Sequence, residues 1–328
     1  MRRRDFIRGF IGATTAWPLA ARGQRPAIPV VGVVSGRSRL AEERSAVAFH
    51  KGLGETGYVD GQNVTVEYHF VEGRYDRLPA LMADLVRRKV AVIATTGNNP
   101  TAIAAKAATS TIPVVFAVGE DPVKLGLVAS LARPGGNATG INDFLSEVDA
   151  KRLRLLHDMV PKAARIAALI NPANAASAEG ALQGTQEAAA AIGLQIQILN
   201  ATTVGEIDAA FASFAKDHPD ALFVAADAFF ATRVTQFITL TARDRIPAAY
   251  SLRDYVLAGG LMSYGADLAE ITHQVGVYTG KILKGAKPAD LPVLQSTKFN
   301  FALNMQTARA LGIEVPSGVL SIADEVIE

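Results

Sequence analysis

Short apolar runs alternate with amphipathic segments along most of the chain. Residues 28–35 form a nearly continuous apolar run, as expected for a strand that is buried on both faces. The next segment, from about residue 41 to Gly57, places Ala46, Phe49 and Leu53 on one helical face. Strands that alternate with helices in this way predict parallel sheets built from strand-helix-strand units. The predicted fold class is therefore α/β.

The alternation continues in two series, which predict two doubly wound parallel-sheet lobes. The first series has strands at 28–35, 64–70, 90–95 and 113–118, and helices at 41–57, 77–89 and 100–109. A loop at 133–137, with one Pro and two adjacent Gly, separates the series. The second has helices at 148–159, 178–192, 207–216 and 231–244, and strands at 165–170, 195–199, 221–225 and 247–250. A strand at 259–263, a long helix at 268–283 and a connector at 284–292 follow.

The first 23 residues do not follow this pattern and predict an export signal. Arg3-Arg4 and the following Asp5-Phe6-Ile7-Arg8 match the twin-arginine consensus. The uncharged stretch 9–21 is too short to span a membrane, and small residues at 21 and 23 predict cleavage before Gln24. The alternative is a cytoplasmic protein with a basic arm, which would need neither feature. We predict a periplasmic protein, exported by the twin-arginine route.

Composition excludes several classes of function. Removal of residues 1–23 takes away five Arg and one Asp, which changes the formal charge from +2 to −2. The remaining chain has no run of Lys and Arg, so nucleic acid is not a predicted partner. Cys is absent, which excludes disulfides, thiolate metal sites and a Cys nucleophile.

No catalytic motif is present, and we predict a protein that is not an enzyme. The five His residues are scattered, without the spacing of metal ligands. Neither a Gly-x-Ser-x-Gly elbow nor a nucleotide-binding glycine loop occurs. We therefore predict no catalytic residue, no metal and no cofactor. A periplasmic hydrolase remains an alternative, because carboxylates distant in sequence can meet in space.

The ends of the predicted strands offer candidate ligand-binding residues, since open parallel sheets bind ligands beyond the carboxyl ends of their strands. One strand ends at Thr96-Gly97, and Asn98-Asn99 precede Pro100, a favourable first residue of a helix. The free amides of that helix and the Thr96 hydroxyl could bind a carboxylate. The alternative is that Asn98 only caps the helix.

In the second series, Asp227 follows a strand and precedes Phe229. A carboxylate suits an ammonium group and an aromatic ring suits an apolar side chain, so this pair could bind an amino acid. The alternative is that Asp227 caps a helix while the ring packs in the core.

Other strand ends complete the candidate set. Asp121 is expected to cap the next helix first and to contact ligand second, and Gly119 permits close backbone approach. Tyr264 could reach the cleft or pack at a hinge. The remaining candidates are Ser35, Gly36, Asn171, Tyr250 and Ser251.

Ordered blocks along nearly the whole chain resemble one family. They include Gly57-Tyr58-Val59-Asp60-Gly61-Gln62-Asn63-Val64 and the segments 72–79, 104–116, 121–128, 133–140, 259–265, 285–292 and 297–299. These blocks are similar to those of substrate-binding proteins of bacterial ABC importers of the tryptophan/tyrosine-transport type, which have the type I periplasmic-binding-protein fold. Relatives often have Gly-Thr-Pro or Gly-Ser-Pro where this chain has Gly97-Asn98-Asn99-Pro100.

The resemblance implies two lobes that are joined by three crossing segments and close over a small ligand. Lobe 1 would contain 28–141 and 264–295, and lobe 2 would contain 142–263 and 296–328. The implied ligand is an amino acid, with aromatic ones among the candidates, or a related carboxylate. The implied partner is an ABC permease of the inner membrane, and the protein itself would be a monomer. A sensory effector-binding module can share this fold, but the export signal and the lack of a helix-turn-helix before Ile28 oppose that alternative.

Overall fold

The computed structural model describes residues 28–96 and 98–328. The predicted leader, residues 1–23, and the candidate Gly97 lie outside the described residues. Within the described ranges, every helix is too short or too polar to span a bilayer.

Strands and helices alternate along the chain, as predicted. The strands are β1 (Val30–Ser35), β2 (Thr65–Phe70), β3 (Val92–Thr96), β4 (Val114–Val118), β5 (Ala138–Asn142), β6 (Arg165–Ile170), β7 (Gln195–Asn200), β8 (Ala221–Val224), β9 (Ala248–Tyr250), β10 (Met262–Ala266), β11 (Leu294–Gln295), β12 (Phe299–Asn304) and β13 (Glu325–Ile327). The helices are α1 (Glu43–Glu55), α2 (Leu78–Arg87), α3 (Asn99–Ala108), α4 (Leu145–Met159), α5 (Ala175–Ile192), α6 (Val204–Ser213), α7 (Ala228–Ala231), α8 (Val234–Asp244), α9 (Arg253–Leu257), α10 (Leu268–Leu283), α11 (Met305–Leu311) and α12 (Ser317–Leu320).

Two sheets organise these elements into two lobes. The six-stranded sheet has the order β11-β5-β4-β3-β1-β2 and is parallel throughout. We call this sheet with α1, α2, α3 and α10 lobe 1. The seven-stranded sheet has the order β13-β12-β10-β9-β8-β6-β7 and, with the other helices, forms lobe 2. The predicted α/β class with two doubly wound lobes is confirmed.

Helices cover both faces of each sheet, which explains the continuous apolar runs. In β1, Val33 packs into the core cluster beneath α1 and α10, whereas its neighbour Val34 packs into the cluster beneath α2 and α3. The seven-stranded sheet likewise has one cluster on each face. A central strand that is buried on both sides has no polar face to alternate with.

Strand β12 departs from the prediction of parallel sheets. It runs antiparallel to β10, and its first residue, Phe299, pairs with Ala266, the last residue of β10. The parallel strands end at the boundary between the lobes, and β12 enters lobe 2 from that boundary. It must therefore run away from it, and β13 follows in parallel with β12.

Three crossing segments connect the lobes side by side. They lie at 143–144, at Asp267 and at 296–298. The Asp267 amide donates to the Lys298 carbonyl over 3.1 Å, and the Ser296 amide donates to the Asn142 carbonyl over 2.8 Å. At the first crossing Phe144 has a φ of 54°, a left-handed conformation that is strained for a bulky residue. The predicted strand 259–263 is shifted to Met262–Ala266, so β10 runs directly into the second crossing.

Glycines allow α10 to pack closely on α1, which fixes the second crossing to lobe 1. A Cβ added at Gly52 would lie 2.0 Å from the His273 carbonyl oxygen. A Cβ added at Gly276 would lie 2.2 Å from the Phe49 carbonyl oxygen. The two helix backbones are therefore in direct contact at these positions.

We expect Gly276→Ala to destabilise the protein by about 1–3 kcal/mol, because an extra methyl group in a close interface forces backbone shifts. The control is Gly54→Ala, also in a helix, where an added Cβ would meet nothing within 4 Å. It should leave stability unchanged or raise it by up to about 1 kcal/mol. Urea denaturation measures both variants, and equal effects would contradict close packing of α1 and α10.

Candidate functional site

A cavity lies between the lobes, at the carboxyl ends of the parallel strands. Its polar lining comes from both lobes and from the first crossing: Arg37, Asn98, Asn99, Asp143, Arg152, Asn174, Ser177, Asp227 and Ser251. Its apolar lining consists mainly of aliphatic side chains: Ala117, Val118, Leu145, Val148, Leu252, Leu268 and Ile271. The lining thus combines charged and amide groups with an apolar wall.

The Asp227 carboxylate, in the cavity lining, accepts hydrogen bonds on both of its oxygens. Its Oδ1 accepts hydrogen bonds from the Asn171 side chain at 2.8 Å and from the Phe229 amide at 2.9 Å. Its Oδ2 accepts from the Asn174 side chain at 3.2 Å and from the Tyr75 hydroxyl at 3.1 Å. These donors hold the carboxylate in one orientation, and Asp227 caps α7 as predicted.

Two side-chain hydrogen bonds connect the lobes directly. Tyr75 of lobe 1 donates to Asp227 of lobe 2, and Asn99 Nδ2 of lobe 1 donates to Ser177 Oγ of lobe 2 over 2.9 Å. Burial and then the nearby Asp227 charge raise the pKa of Tyr75, so its hydroxyl remains a donor at neutral pH. The structure is therefore a closed form.

At the start of α3, Asn98 and Asn99 lie where the sequence predicted them, whereas Thr96 does not. Asn98 caps the helix by accepting from the Thr101 amide at 3.1 Å, and both Asn98 and Asn99 line the cavity. Asn98 Nδ2 is buried and has no hydrogen-bond partner among the residues described. Thr96, whose hydroxyl was a candidate donor to the ligand, is buried within β3 and does not line the cavity.

Ser35 and Gly36 lie next to the start of α3, outside the cavity lining. Ser35 Oγ donates to the buried Glu42 carboxylate and accepts from the Arg37 amide at 3.1 Å. A Cβ at Gly36 would lie 1.6 Å from Asn98 Nδ2. Glycine is therefore needed beside Asn98, and neither predicted residue lines the cavity itself.

Two buried arginines face the cavity from opposite lobes. Arg152 is fully buried, forms an ion pair with Asp149 at 2.7 Å and lies over the Phe223 ring with its guanidinium carbon 4.5 Å from the centroid. Arg37 is 5% exposed and lies 3.6 Å from Asp254 of lobe 2. Within 28–96 and 98–328, the Nε atoms of both arginines are buried without a hydrogen-bond partner. Both can donate to an anion in the cavity.

Three carboxyl groups cluster beside the first crossing, and we call Glu120, Asp143 and Asp149 the acid cluster. Burial, followed by the charges of Glu120 and Asp149, raises the pKa of Asp143 to about 7. Burial, followed by the Asp149 charge, raises the pKa of Glu120 to about 7. Burial raises the pKa of Asp149 to about 6, although Arg152 opposes this shift. The described side chains contain no group of three or more potential ligands able to hold a metal ion.

Three candidate residues, Phe229, Tyr250 and Tyr264, have their rings in the core of lobe 2. Phe229 packs beside Phe230, and Tyr250 stacks on Tyr255 with a centroid distance of 4.4 Å. Tyr264 packs against core residues on the other face of the sheet. None of the three lines the cavity. The need to fill the lobe 2 core explains their placement.

The other candidates divide between the cavity and its surroundings. Gly119 and Ser251 line the cavity. Asn171 does not, and its side chain donates to Asp227 and accepts from the Ala173 amide at 3.0 Å. Asp121 is exposed and accepts from the Val123 amide at 2.8 Å, but the predicted helix after it is a single turn. Gly126, with a φ of 70°, ends that turn. Asp121 lines an outer groove rather than the cavity.

Four important residues were not predicted: Arg37, Tyr75, Asp143 and Arg152. Asp143 follows β5, so the strand-end argument would have found it if β5 had been predicted. Arg152 lies on the apolar face of α4, four residues after Val148, and a charged residue on such a face indicates a buried role. Arg37 follows Ser35-Gly36 directly. The sequence offers no local indication that Tyr75 contacts Asp227.

Comparison with known proteins identifies the family. Residues 27–327 match the model of the family described as ABC transporter substrate binding protein. The chain therefore belongs to this family, which agrees with the resemblance stated above. Its members are substrate-binding proteins, so the prediction that the chain is not an enzyme is confirmed.

Individual relatives agree with this assignment. A tyrosine-binding protein of Clostridioides difficile is 27% identical over 283 residues, which cover 85% of this chain and 81% of the relative. An ABC domain from Streptococcus pneumonia solved in complex with L-Trp is 27% identical, with a TM-score of 0.83 over 91% of this chain and 99% of its own. The ligand-free, open structure of a substrate-binding protein with adhesive properties from Clostridium difficile is 26% identical, with a TM-score of 0.64 over 92% and 99% of the two chains. The higher score against the L-Trp complex agrees with a closed form here.

We expect Tyr75→Phe to shift the ligand-free protein toward an open form, because it removes one hydrogen bond between the lobes. The ratio of closed to open molecules should fall by about threefold to tenfold, since such a bond contributes about 0.5–1.5 kcal/mol. The chain has no Cys, so labels at exposed Val47 and Val204 can report the distance between the lobes by pulsed electron resonance. Tyr58→Phe, within lobe 1, is the control, and an unchanged distance distribution in Tyr75→Phe would contradict the role of Tyr75.

Proposed function

We propose that this protein captures an α-amino acid with an apolar side chain in the cavity between its lobes and presents it to an ABC permease. One observation carries the proposal. Within the described parts of the chain, residues that line this one cavity carry both buried donors and buried acceptors without hydrogen-bond partners. An amino-acid zwitterion supplies the opposite group to each set.

The donor set suits a carboxylate. Arg37 Nε and Asn98 Nδ2 come from lobe 1, and Arg152 Nε comes from lobe 2. A carboxylate accepts several charge-assisted hydrogen bonds, and arginine donates such bonds in a fixed geometry. Because the donors come from both lobes, a bound carboxylate would favour closure.

The acceptor set suits an ammonium group. The side-chain oxygens Asp143 Oδ1 and Asn174 Oδ1 are buried at the cavity, and neither has a partner among the described residues. Asp227, the predicted ammonium ligand, already accepts from side chains and amides on both its oxygens. We assign it to holding the lobes together, with the ammonium nearer Asp143 and Asn174.

The apolar wall suits the side chain of the ligand. Leu145 and Val148 line it from α4, Leu252 from lobe 2, and Leu268 and Ile271 from α10. Aliphatic walls of this kind bind both aliphatic and aromatic groups through area burial. The names of two relatives include tyrosine and L-Trp, and these amino acids are therefore the first to test.

A thermal-shift screen of the amino acids tests the proposal, with truncated analogues as controls. A ligand at about 100 times its dissociation constant stabilises the protein by about 2.7 kcal/mol. The amino acid that binds should stabilise more than its analogue without the carboxylate and more than its analogue without the ammonium group. A screen in which all amino acids have no effect would contradict the proposed ligand class.

Arg37→Met should weaken amino-acid binding by about tenfold or more, because a hydrogen bond to a charged group contributes about 1.5–3 kcal/mol. Arg44→Met is a matched control, since Arg44 also lies near Asp254, at 4.0 Å, but is exposed and does not line the cavity. Isothermal titration calorimetry measures both variants. Equal affinities would remove Arg37 from the site.

We also propose that residues 1–23 direct export by the twin-arginine route and that the mature monomer acts in the periplasm. The pattern of Arg3-Arg4 with Phe6 and Ile7 supports this route. Mass spectrometry of the periplasmic fraction should find a chain that begins at Gln24. The double change Arg3→Lys and Arg4→Lys should retain the uncleaved protein in the cytoplasm, whereas Arg2→Lys should not. Unchanged export of the double variant would indicate another route.

A further inference from the structure

We infer that binding of an amino acid releases a proton from the acid cluster, because the ammonium group of the ligand replaces that proton at Asp143. This inference rests on the proposed function. It adds that uptake of the ligand is coupled to pH.

Asp143 is positioned to meet a cation in the cavity. It lies on the first crossing, and its amide donates to the Val118 carbonyl over 3.0 Å. Asp143 lines the cavity, and its Oδ1 is buried without a hydrogen-bond partner in the described ranges. A Cβ at Gly119 would lie 3.0 Å from this oxygen, so glycine leaves the space that the carboxyl group occupies.

The charges around Asp143 are unbalanced. Glu120 faces it from the loop after β4 and Asp149 faces it from α4, and the one buried cation beside them, Arg152, is paired with Asp149. Lys124, Asp121 and Glu179 act on Glu120 from the exposed side of the cluster. Full ionisation would leave three carboxylates beside one buried guanidinium.

A buried site does not tolerate such an excess of negative charge, so the cluster retains a proton. Before binding, Asp143 holds this proton as a carboxylic acid. When the ammonium group arrives, the Asp143 O–H bond breaks, the proton passes to solvent, and the carboxylate pairs with the ammonium. The cluster thus releases up to one proton for each ligand bound, and less where Asp143 is already partly ionised.

The pH dependence follows from this exchange. The pKa of Asp143 is raised to about 7, whereas the bound ammonium lowers it. The unliganded form therefore holds more protons than the bound form below about pH 7, and affinity falls there as the pH falls. We expect affinity to be about tenfold lower at pH 5.5 than at pH 8, where the carboxyl group is already ionised.

Calorimetry measures the released proton directly. Titration of the best amino acid at pH 6.5, in two buffers with different ionisation enthalpies, should show release of about half a proton or more per ligand. Asp143→Asn should abolish this release and flatten the pH dependence. Asp158→Asn changes an exposed carboxylate on α4 and should do neither.

A second variant tests the cluster without changing a residue at the cavity. Among the neighbouring charges, that of Glu120 raises the pKa of Asp143 most, and Glu120→Gln removes it. Glu120 does not line the cavity. This variant should still bind the amino acid, but the midpoint of the pH dependence should move to lower pH. An unchanged midpoint would contradict the coupling within the cluster.

The possible failures are distinct. Amino-acid binding with equal affinity at pH 5.5 and 8 and with no proton release would overturn this inference and leave the proposed function intact. Absence of amino-acid binding throughout that range would overturn the proposed function, and the inference with it.

Discussion

The Asp227 carboxylate is the contact on which the closed arrangement depends. Its oxygens accept from the loop after β6, from the first turn of α7 and from Tyr75 of the opposite lobe. A carboxylate with this many donors has a fixed orientation, because hydrogen bonds replace the water it has lost. The residue that caps a short helix in lobe 2 is therefore also the acceptor that holds lobe 1 in place.

The architecture was predictable, because it depends on patterns that are local in sequence. Apolar runs such as 28–35 and the helical spacing of Ala46, Phe49 and Leu53 appear without knowledge of the rest of the chain. The long helix 268–283 has the predicted bounds. The antiparallel β12 was not predictable from its own residues, since its direction depends on where the chain re-enters lobe 2. That entry point is a property of the complete topology.

The candidate site was only partly predictable, for a related reason. Strand-end reasoning found Asn98, Asn99 and Asp227, because helix caps have a local sequence pattern. It also selected Phe229, because an aromatic ring after a strand fits a ligand pocket and a core equally well, and Tyr250, because a strand end can offer a polar contact. Only the packing of lobe 2 decides between these roles. Tyr75 and Asp227 are 152 residues apart in the sequence, so a local sequence pattern cannot predict the hydrogen bond between them.

The closed form without a ligand balances opposing contributions. Two hydrogen bonds between the lobes, from Tyr75 and Asn99, contribute about 1 kcal/mol each, and the Arg37–Asp254 ion pair at 3.6 Å adds to them. Against them, the described part of the cavity keeps polar atoms of Arg37, Asp143 and Asn174 without partners, and each such buried atom costs about 1–3 kcal/mol. A ligand that satisfies these atoms therefore makes closure more favourable, whereas one that leaves them unpaired does not. Recognition and closure are then coupled, because the groups that select the ligand are those whose unpaired atoms oppose closure without it.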